Sequence, residues 1–188
     1  MDVEKVGKMA KDRKIDLVIL GLLAHENLTG YDIKKRIDGA ISFFWKGSFG
    51  SIYPALSEME KQGLVKRKNS NKTGGREKIV YQISKSGKDA LKQWLNDEQA
   101  TNDLKYETLL KTYFGGLEDR SITVRNIEVF EKQVKGNLEL LNFYKENLEK
   151  VLEEADHVHY YLTVLFGIET YEAYLRWCNK AKKIMKEH

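Results

Sequence analysis

Residues 48–67 read SFGSIYPALSEMEKQGLVKR, and this stretch decides the fold. Ser51 is placed to cap a helix, with Pro54 in the first turn, where a missing N–H costs nothing. Ile52, Leu56 and Met59 form one apolar stripe, and Gly63 stands where a helix ends in a left-handed residue. The leading end carries Ser48, Ser51 and Tyr53, and the basic run Lys66-Arg67-Lys68 follows the stop. Short hydroxyls allow a helix to approach a groove floor closely, and they reach phosphates and base edges. The pattern predicts a short helix that enters DNA.

Upstream, the segment Ile15–Gly30 (IDLVILGLLAHENLTG) begins with an apolar helix, and Asn27 to Gly30 supply its stop. Thr29 is placed to cap a second helix, YDIKKRIDGAI, whose Tyr31, Ile33, Ile37 and Ile41 share a side. Downstream the period changes. LVKRKNS and REKIVYQIS read as two strands around the turn NKTGG, with Ile79, Tyr81 and Ile83 alternating. Three helices and a basic hairpin are the plan of a winged helix-turn-helix. A fourth helix, SKSGKDALKQWLND, follows, with Ala90, Leu91, Trp94 and Leu95 as its apolar residues, and EQATND (residues 98–103) reads as a linker.

Beyond the linker every segment has a helical pattern. LKYETLLKTYFGGL is short and stops at Gly115-Gly116. Ser121 is expected to open a long helix with Ile127, Phe130, Val134, Leu138, Leu141, Leu148 and Leu152 at packed-helix spacing. The last helix, from about Val158 to Met185, carries Tyr160, Tyr161, Val164, Leu165, Ile168, Tyr171, Tyr174, Leu175 and Trp177. Its apolar residues cover more than one face. A helix covered on two sides needs a partner beyond its own neighbour, and a second copy of the chain is the simplest one. Tyr160, Tyr161, Val164, Leu165, Ile168, Tyr171 and Leu175 are therefore the expected dimerisation residues. The fold class is mainly α (α+β), with a winged helix-turn-helix domain over residues 1–97 and a helical dimerisation domain over 104–188.

Composition agrees with this division. Residues 1–97 hold 19 Lys and Arg against 12 Asp and Glu, while residues 98–188 hold 13 against 16. A basic half joined to a mildly acidic one suits a polyanion-binding domain attached to a different module, although charge alone does not decide it. No segment approaches the roughly 20 apolar residues of a membrane span. The start has no apolar signal core, so a cytoplasmic setting is expected. Cys178 is the single cysteine, which excludes an intrachain disulfide and a cysteine-based zinc cluster.

With these blocks in view, the sequence resembles the PadR family of transcriptional regulators. ILGLLAHENLTGYDI (Ile19–Ile33), GSIYPALSEMEKQGLV (Gly50–Val65), GGREKIVYQIS and KSGKDAL carry the resemblance. In the wing, Gly75, Arg76, Val80 and Tyr81 fit the family's Gly-Arg-x-x-(aliphatic)-Tyr pattern only in part, with Lys78 and Ile79 between. The remaining residues resemble, in length and helix pattern, the longer C-terminal dimerisation region seen in PadR-proper members and in virulence activators. The resemblance implies a homodimer on a roughly palindromic operator, more often a repressor than an activator. It further implies that a small aromatic or amphipathic effector, such as a phenolic acid, releases the DNA in several relatives.

The expected DNA-binding residues are Tyr31, Ser48, Ser51, Tyr53, Lys66, Lys68, Lys72, Arg76 and Lys78. The lysines would neutralise phosphates, and Arg76 would enter a narrow minor groove. Packing on the second helix is the competing reading for Tyr53, and packing competes nearly equally for Tyr31. Between Lys46 and Lys85 there are nine basic residues against three acidic, which an ordinary solvated hairpin does not show. The N-terminal Lys5, Lys8, Lys11, Arg13 and Lys14 read more simply as solvated.

Two rivals stand beside this reading. An enzyme would need a nucleophile–base pair, a metal cluster or a phosphate loop, and no GxGxxG, P-loop or HExxH is present. His157 and His159 on one helix lie about 200° apart, poor geometry for a metal, and Asp156 reads as a cap for the last helix. Cys178 reads as packing. No cofactor or metal is expected. The other rival is a helical interaction module without specific DNA binding, which would have no need of a basic wing. For an effector, Phe43, Phe44, Trp45, Tyr106, Tyr113 and Phe114 offer material for a pocket between the two halves, with core packing the simpler reading for most of them.

Overall fold

The computed structural model describes residues 14–45, 49–69, 79–98, 100, 102, 105–154 and 156–187, without the side chains of Phe49 and Asn69. The chain divides into two compact units, Met1–Thr101 and Asn102–His188. Among the described residues no helix is long and apolar enough to cross a membrane.

In the first unit, helix α1 (Lys14–His25) supplies Leu17, Ile19, Leu20 and Leu23 to the core. It ends just ahead of Asn27 to Gly30, the expected stop. Leu28–Thr29 then form a short strand, β1, absent from the sequence-based expectation. Two residues are too few for a period-2 signal, so nothing in the pattern could mark it. Thr29 also caps α2 (Gly30–Asp38) in a full capping box. The Asp32 amide donates to Thr29 Oγ1 at 3.1 Å, and the Thr29 amide donates to Asp32 Oδ2 at 3.2 Å. Gly30 is therefore the first residue of α2 and not the end of α1.

The decisive stretch becomes α3 (Ile52–Lys61), with Ile52, Ala55, Leu56 and Met59 buried. Ser51 does stand at the cap position, but it leaves a 3-10 turn (Phe49–Ser51) with an already helical backbone. A capping serine is normally extended, so here the turn and not a hydroxyl starts the helix. At the other end Gly63 has φ +73°, the left-handed value that glycine adopts without strain. The Gly63 amide donates to the Glu60 carbonyl at 3.0 Å and the Leu64 amide to Met59 at 2.9 Å, which is a Schellman stop.

Strands β2 (Val65–Asn69) and β3 (Ile79–Ile83) follow, and the sheet order is β1-β3-β2, all antiparallel. Val65 pairs with Ile83, Arg67 with Tyr81 and Leu28 with Tyr81, so β3 is central. Tyr81 and Ile83 are buried, while Ile79, expected to alternate inward with them, is exposed near the hairpin tip. Helix α4 (Lys85–Leu95) is capped by Ser84, whose hydroxyl accepts from the Gly87 amide and donates to the Gly63 carbonyl at 2.7 Å. Gly87 lies so close to the α3–β2 corner that a Cβ there would stand 2.2 Å from the Leu64 carbonyl oxygen. Of α4's four expected apolar residues, Ala90 is buried and Leu91 packs on the core, but Leu95 is exposed.

The second unit contains α5 (Glu107–Tyr113), α6 (Arg120–Glu149) and α7 (His157–Glu187). Asp119, not Ser121, caps α6, accepting from the Ser121 amide at 2.8 Å. Helices α6 and α7 are antiparallel along most of their lengths, as the contacts of Glu131 with Lys182, Leu141 with Gly167 and Glu149 with Tyr161 require. Ile127, Val134 and Leu141 recur every seven residues in the seam, against Val164, Gly167, Ile168 and Cys178. Cys178 is fully buried, and burial pushes its thiol above the ordinary value. His157 Nδ1 lies 2.9 Å from the Val151 carbonyl, which can only accept, so that nitrogen carries the proton.

Candidate nucleic-acid interface

Helices α2 and α3 present two aromatic side chains to solvent. Tyr31 is 68% exposed and Tyr53 is 62% exposed, values that rule out core packing for either ring. Tyr53 nevertheless touches α2 on one side. A Cβ on Gly30 would stand 2.6 Å from Tyr53 Cε1, so the missing side chain at Gly30 is what lets the ring lie there. One edge of the phenol is thus held and the rest is offered outward. That role for Gly30 was not legible, because the sequence shows a glycine between Thr29 and Tyr31 but not what approaches it.

The wing strand sorts its cations by register. Lys66 and Lys68 lie opposite Gln82 and Val80, on the face away from the core, and both are exposed. Arg67 shares its face with Val65 and Tyr81 and turns back to Glu60, with Nε 2.7 Å from Oε2. Arg36 is likewise held, by Glu26 at 2.5 Å. Both are exposed pairs of small worth that salt would screen. Lys66 and Lys68 carry no ion pair among the described residues and are open to an anion.

Ser51 is half-buried at the start of α3. Ser48, Lys72, Arg76 and Lys78 lie outside the described residues. Of the expected DNA-binding residues, the structure therefore describes Tyr31, Ser51, Tyr53, Lys66 and Lys68. A ten-residue helix is about 15 Å long, and the major groove of B-DNA is about 12 Å wide and admits one.

The expected dimerisation residues divide. Val164 and Ile168 are buried against α6 of the same chain, which leaves them little surface for a second copy. Tyr161, Leu165, Tyr171 and Leu175 are half-buried, and Tyr160 is exposed. The outward stripe of α7 is instead Val158, Leu162 and Phe166, spaced four apart, with Leu140 and Phe143 exposed on α6. Phe44, Tyr113 and Phe114 are exposed as well, so the core reading fails for them. Among the described residues no group of three or more His, Cys, Asp or Glu is placed to hold a metal.

Comparison with known proteins finds matches along most of the chain. Residues 19–93 match the transcriptional regulator PadR-like family, and residues 104–186 match the virulence activator alpha C-terminal family. The chain is 27% identical to the negative transcriptional regulator PadR of Bacillus subtilis (strain 168), over 88% of this chain and 93% of that protein. It belongs to the PadR-like family of transcriptional regulators. Its fold is the PadR winged helix with C-terminal helices. Bacillus subtilis PadR in complex with operator DNA superposes with a TM-score of 0.78 at 26% identity, covering 92% of this chain and 99% of that one. The same regulator in complex with p-coumaric acid gives 0.70 at 25% identity, covering 93% and 99%.

Proposed function

We propose that this PadR-like regulator binds a palindromic operator as a homodimer, represses transcription, and responds to a small aromatic effector. The observation that carries the reading is the exposed Tyr53 at the head of α3, seated on Gly30 beside Tyr31. Large aromatics left in solvent at the leading end of a recognition helix are costly unless something covers them. Lys66 and Lys68 supply the sequence-independent attraction to phosphate, and Ser48, Lys72, Arg76 and Lys78 are assigned to DNA contact on the sequence pattern. The likeness to an operator-bound PadR supports DNA as the partner, and the p-coumaric acid complex supports an effector.

Residues 1–97 are assigned to DNA binding and 104–188 to dimerisation, through the half-exposed residues of α7 and the outer stripe of Leu162 and Phe166. A regulator of chromosomal DNA acts in the cytoplasm, and no catalytic role is assigned. The test is an anisotropy titration against DNA from immediately upstream of the chain's own gene, beside a scrambled duplex. Tyr53→Ala is expected to weaken specific binding by about 1–3 kcal/mol, the size of one good base contact. Equal affinity of wild type and variant for the operator would remove Tyr53 from the interface.

A further inference from the structure

The second unit contains a cavity of about 230 Å³, lined by Tyr106, Thr108, Leu109, Phe130, Tyr174 and Trp177. The walls are aromatic and mutually braced. Tyr106 meets Tyr174 edge to face with ring centroids 5.4 Å apart, and Phe130 meets Trp177 at 6.2 Å. Tyr106 and Tyr174 hydrogen-bond to each other through their hydroxyls, and Tyr171 beside them accepts from Asn137 at 3.2 Å. Burial pushes the Tyr174 and Tyr171 phenols above their ordinary value, so they stay protonated at neutral pH.

Among the described residues that line it, none is a lysine, arginine or histidine. A carboxylate placed against these walls would meet apolar rings and no opposite charge. An uncharged ring meets edges and faces of other rings, which is a favourable arrangement. A hydroxyl or ester oxygen on that ring can join the phenol pair. The volume lies below the roughly 300 Å³ at which sites for drug-sized ligands begin, which limits the guest to one or two rings.

We propose that this cavity binds a neutral aromatic molecule of one or two rings and discriminates against aromatic carboxylates. The preference differs from p-coumaric acid, the ligand in the Bacillus subtilis PadR complex, which is an anion at neutral pH. Binding itself does not depend on the regulatory reading; its consequence for DNA rests on that reading. Tyr106 heads α5, a few residues past the unit boundary at Thr101, so a guest touches the segment that follows the DNA-binding unit.

Calorimetric titration of the full chain with p-coumarate and with its neutral methyl ester tests the proposal. The ester is expected to bind about tenfold or more tighter than the acid, because only the acid brings a charge that no lining side chain offsets. Leu109→Trp fills the cavity and should abolish ester binding while far-UV circular dichroism stays unchanged. If that variant misfolds, Thr108→Trp serves the same end. No ester binding, ester binding that survives the filled cavity, or acid that binds there equally well would overturn the proposal. Operator binding by the unliganded protein is measured in parallel. Its absence would defeat the proposed function without touching the ester result.

Discussion

The two units close their cores to different degrees. Among the described residues, the first buries sixteen hydrophobic side chains and leaves five large ones exposed; the second buries six and leaves thirteen exposed. A helix hairpin has two outer faces, and one seam along α6 and α7 cannot cover residues on the far sides of both helices. The winged helix wraps four helices and a sheet around one centre. The contrast teaches that the first unit closes its core within the chain, whereas the second leaves large apolar side chains such as Leu162 and Phe166 in solvent.

The largest expected effect breaks the first unit. Leu56→Ala removes a fully buried side chain at the centre of α3, and should cost about 2–5 kcal/mol. Chemical denaturation would show this loss unchanged across protein concentrations. A loss that grew on dilution would mean that the winged helix also depends on a partner.

Phe166→Asp attacks the outer stripe of α7, where the ring is 67% exposed and touches no core. A central interface aromatic is worth about 2–4 kcal/mol. Sedimentation equilibrium should show monomers at concentrations where the wild type is dimeric, with helix content retained. Dimers of unchanged affinity would place the interface elsewhere on this unit.

The same contrast explains what was legible. Spacing alone located α3, the positive-φ stop at Gly63, both wing strands and the two long helices, because each depends on local pattern and local caps. Strand β1, the seat of Tyr53 on Gly30 and the close approach at Gly87 depend on contacts between distant segments. Val164 and Ile168 show the same limit in the second unit. A helix with two apolar sides states that two neighbours exist, not which side meets which, and the seam took Val164 and Ile168 out of the stripe expected at the subunit interface. Nothing in the sequence marks Glu131, because its burial beside Lys182 is visible only once the helices pair.

That glutamate gives the next prediction. Glu131 sits in the seam at 9% exposure, hydrogen-bonded to Lys182 and 2.9 Å from Lys135 Nζ, and Lys182 first and then Lys135 hold its carboxyl below the ordinary value of 4.5. A depressed carboxyl stabilises the fold above its unfolded value, and that contribution is lost as pH falls through the lower folded value. Lys182, raised above 10.5 chiefly by the same hydrogen bond, loses its share only as pH rises beyond that. Glu131→Gln should cost about 1–2 kcal/mol at neutral pH, with the difference from wild type shrinking below pH 4.5. A difference independent of pH would show that packing, and not charge, is what Glu131 contributes.

The smallest effect concerns the open cations of the first unit. Lys66 and Lys68 share the outer face of β2, while Arg67 is tied to Glu60. Replacing Lys68 with glutamine should reduce the slope of log affinity against log salt by about 1 and weaken all sequences alike. Arg67→Gln should change the slope less, since its charge is already compensated in the free protein. If Arg67→Gln lowers the slope as much as Lys68→Gln does, then the guanidinium leaves Glu60 for phosphate on binding. The ion pair would then be a resting position of the wing and not a fixed brace.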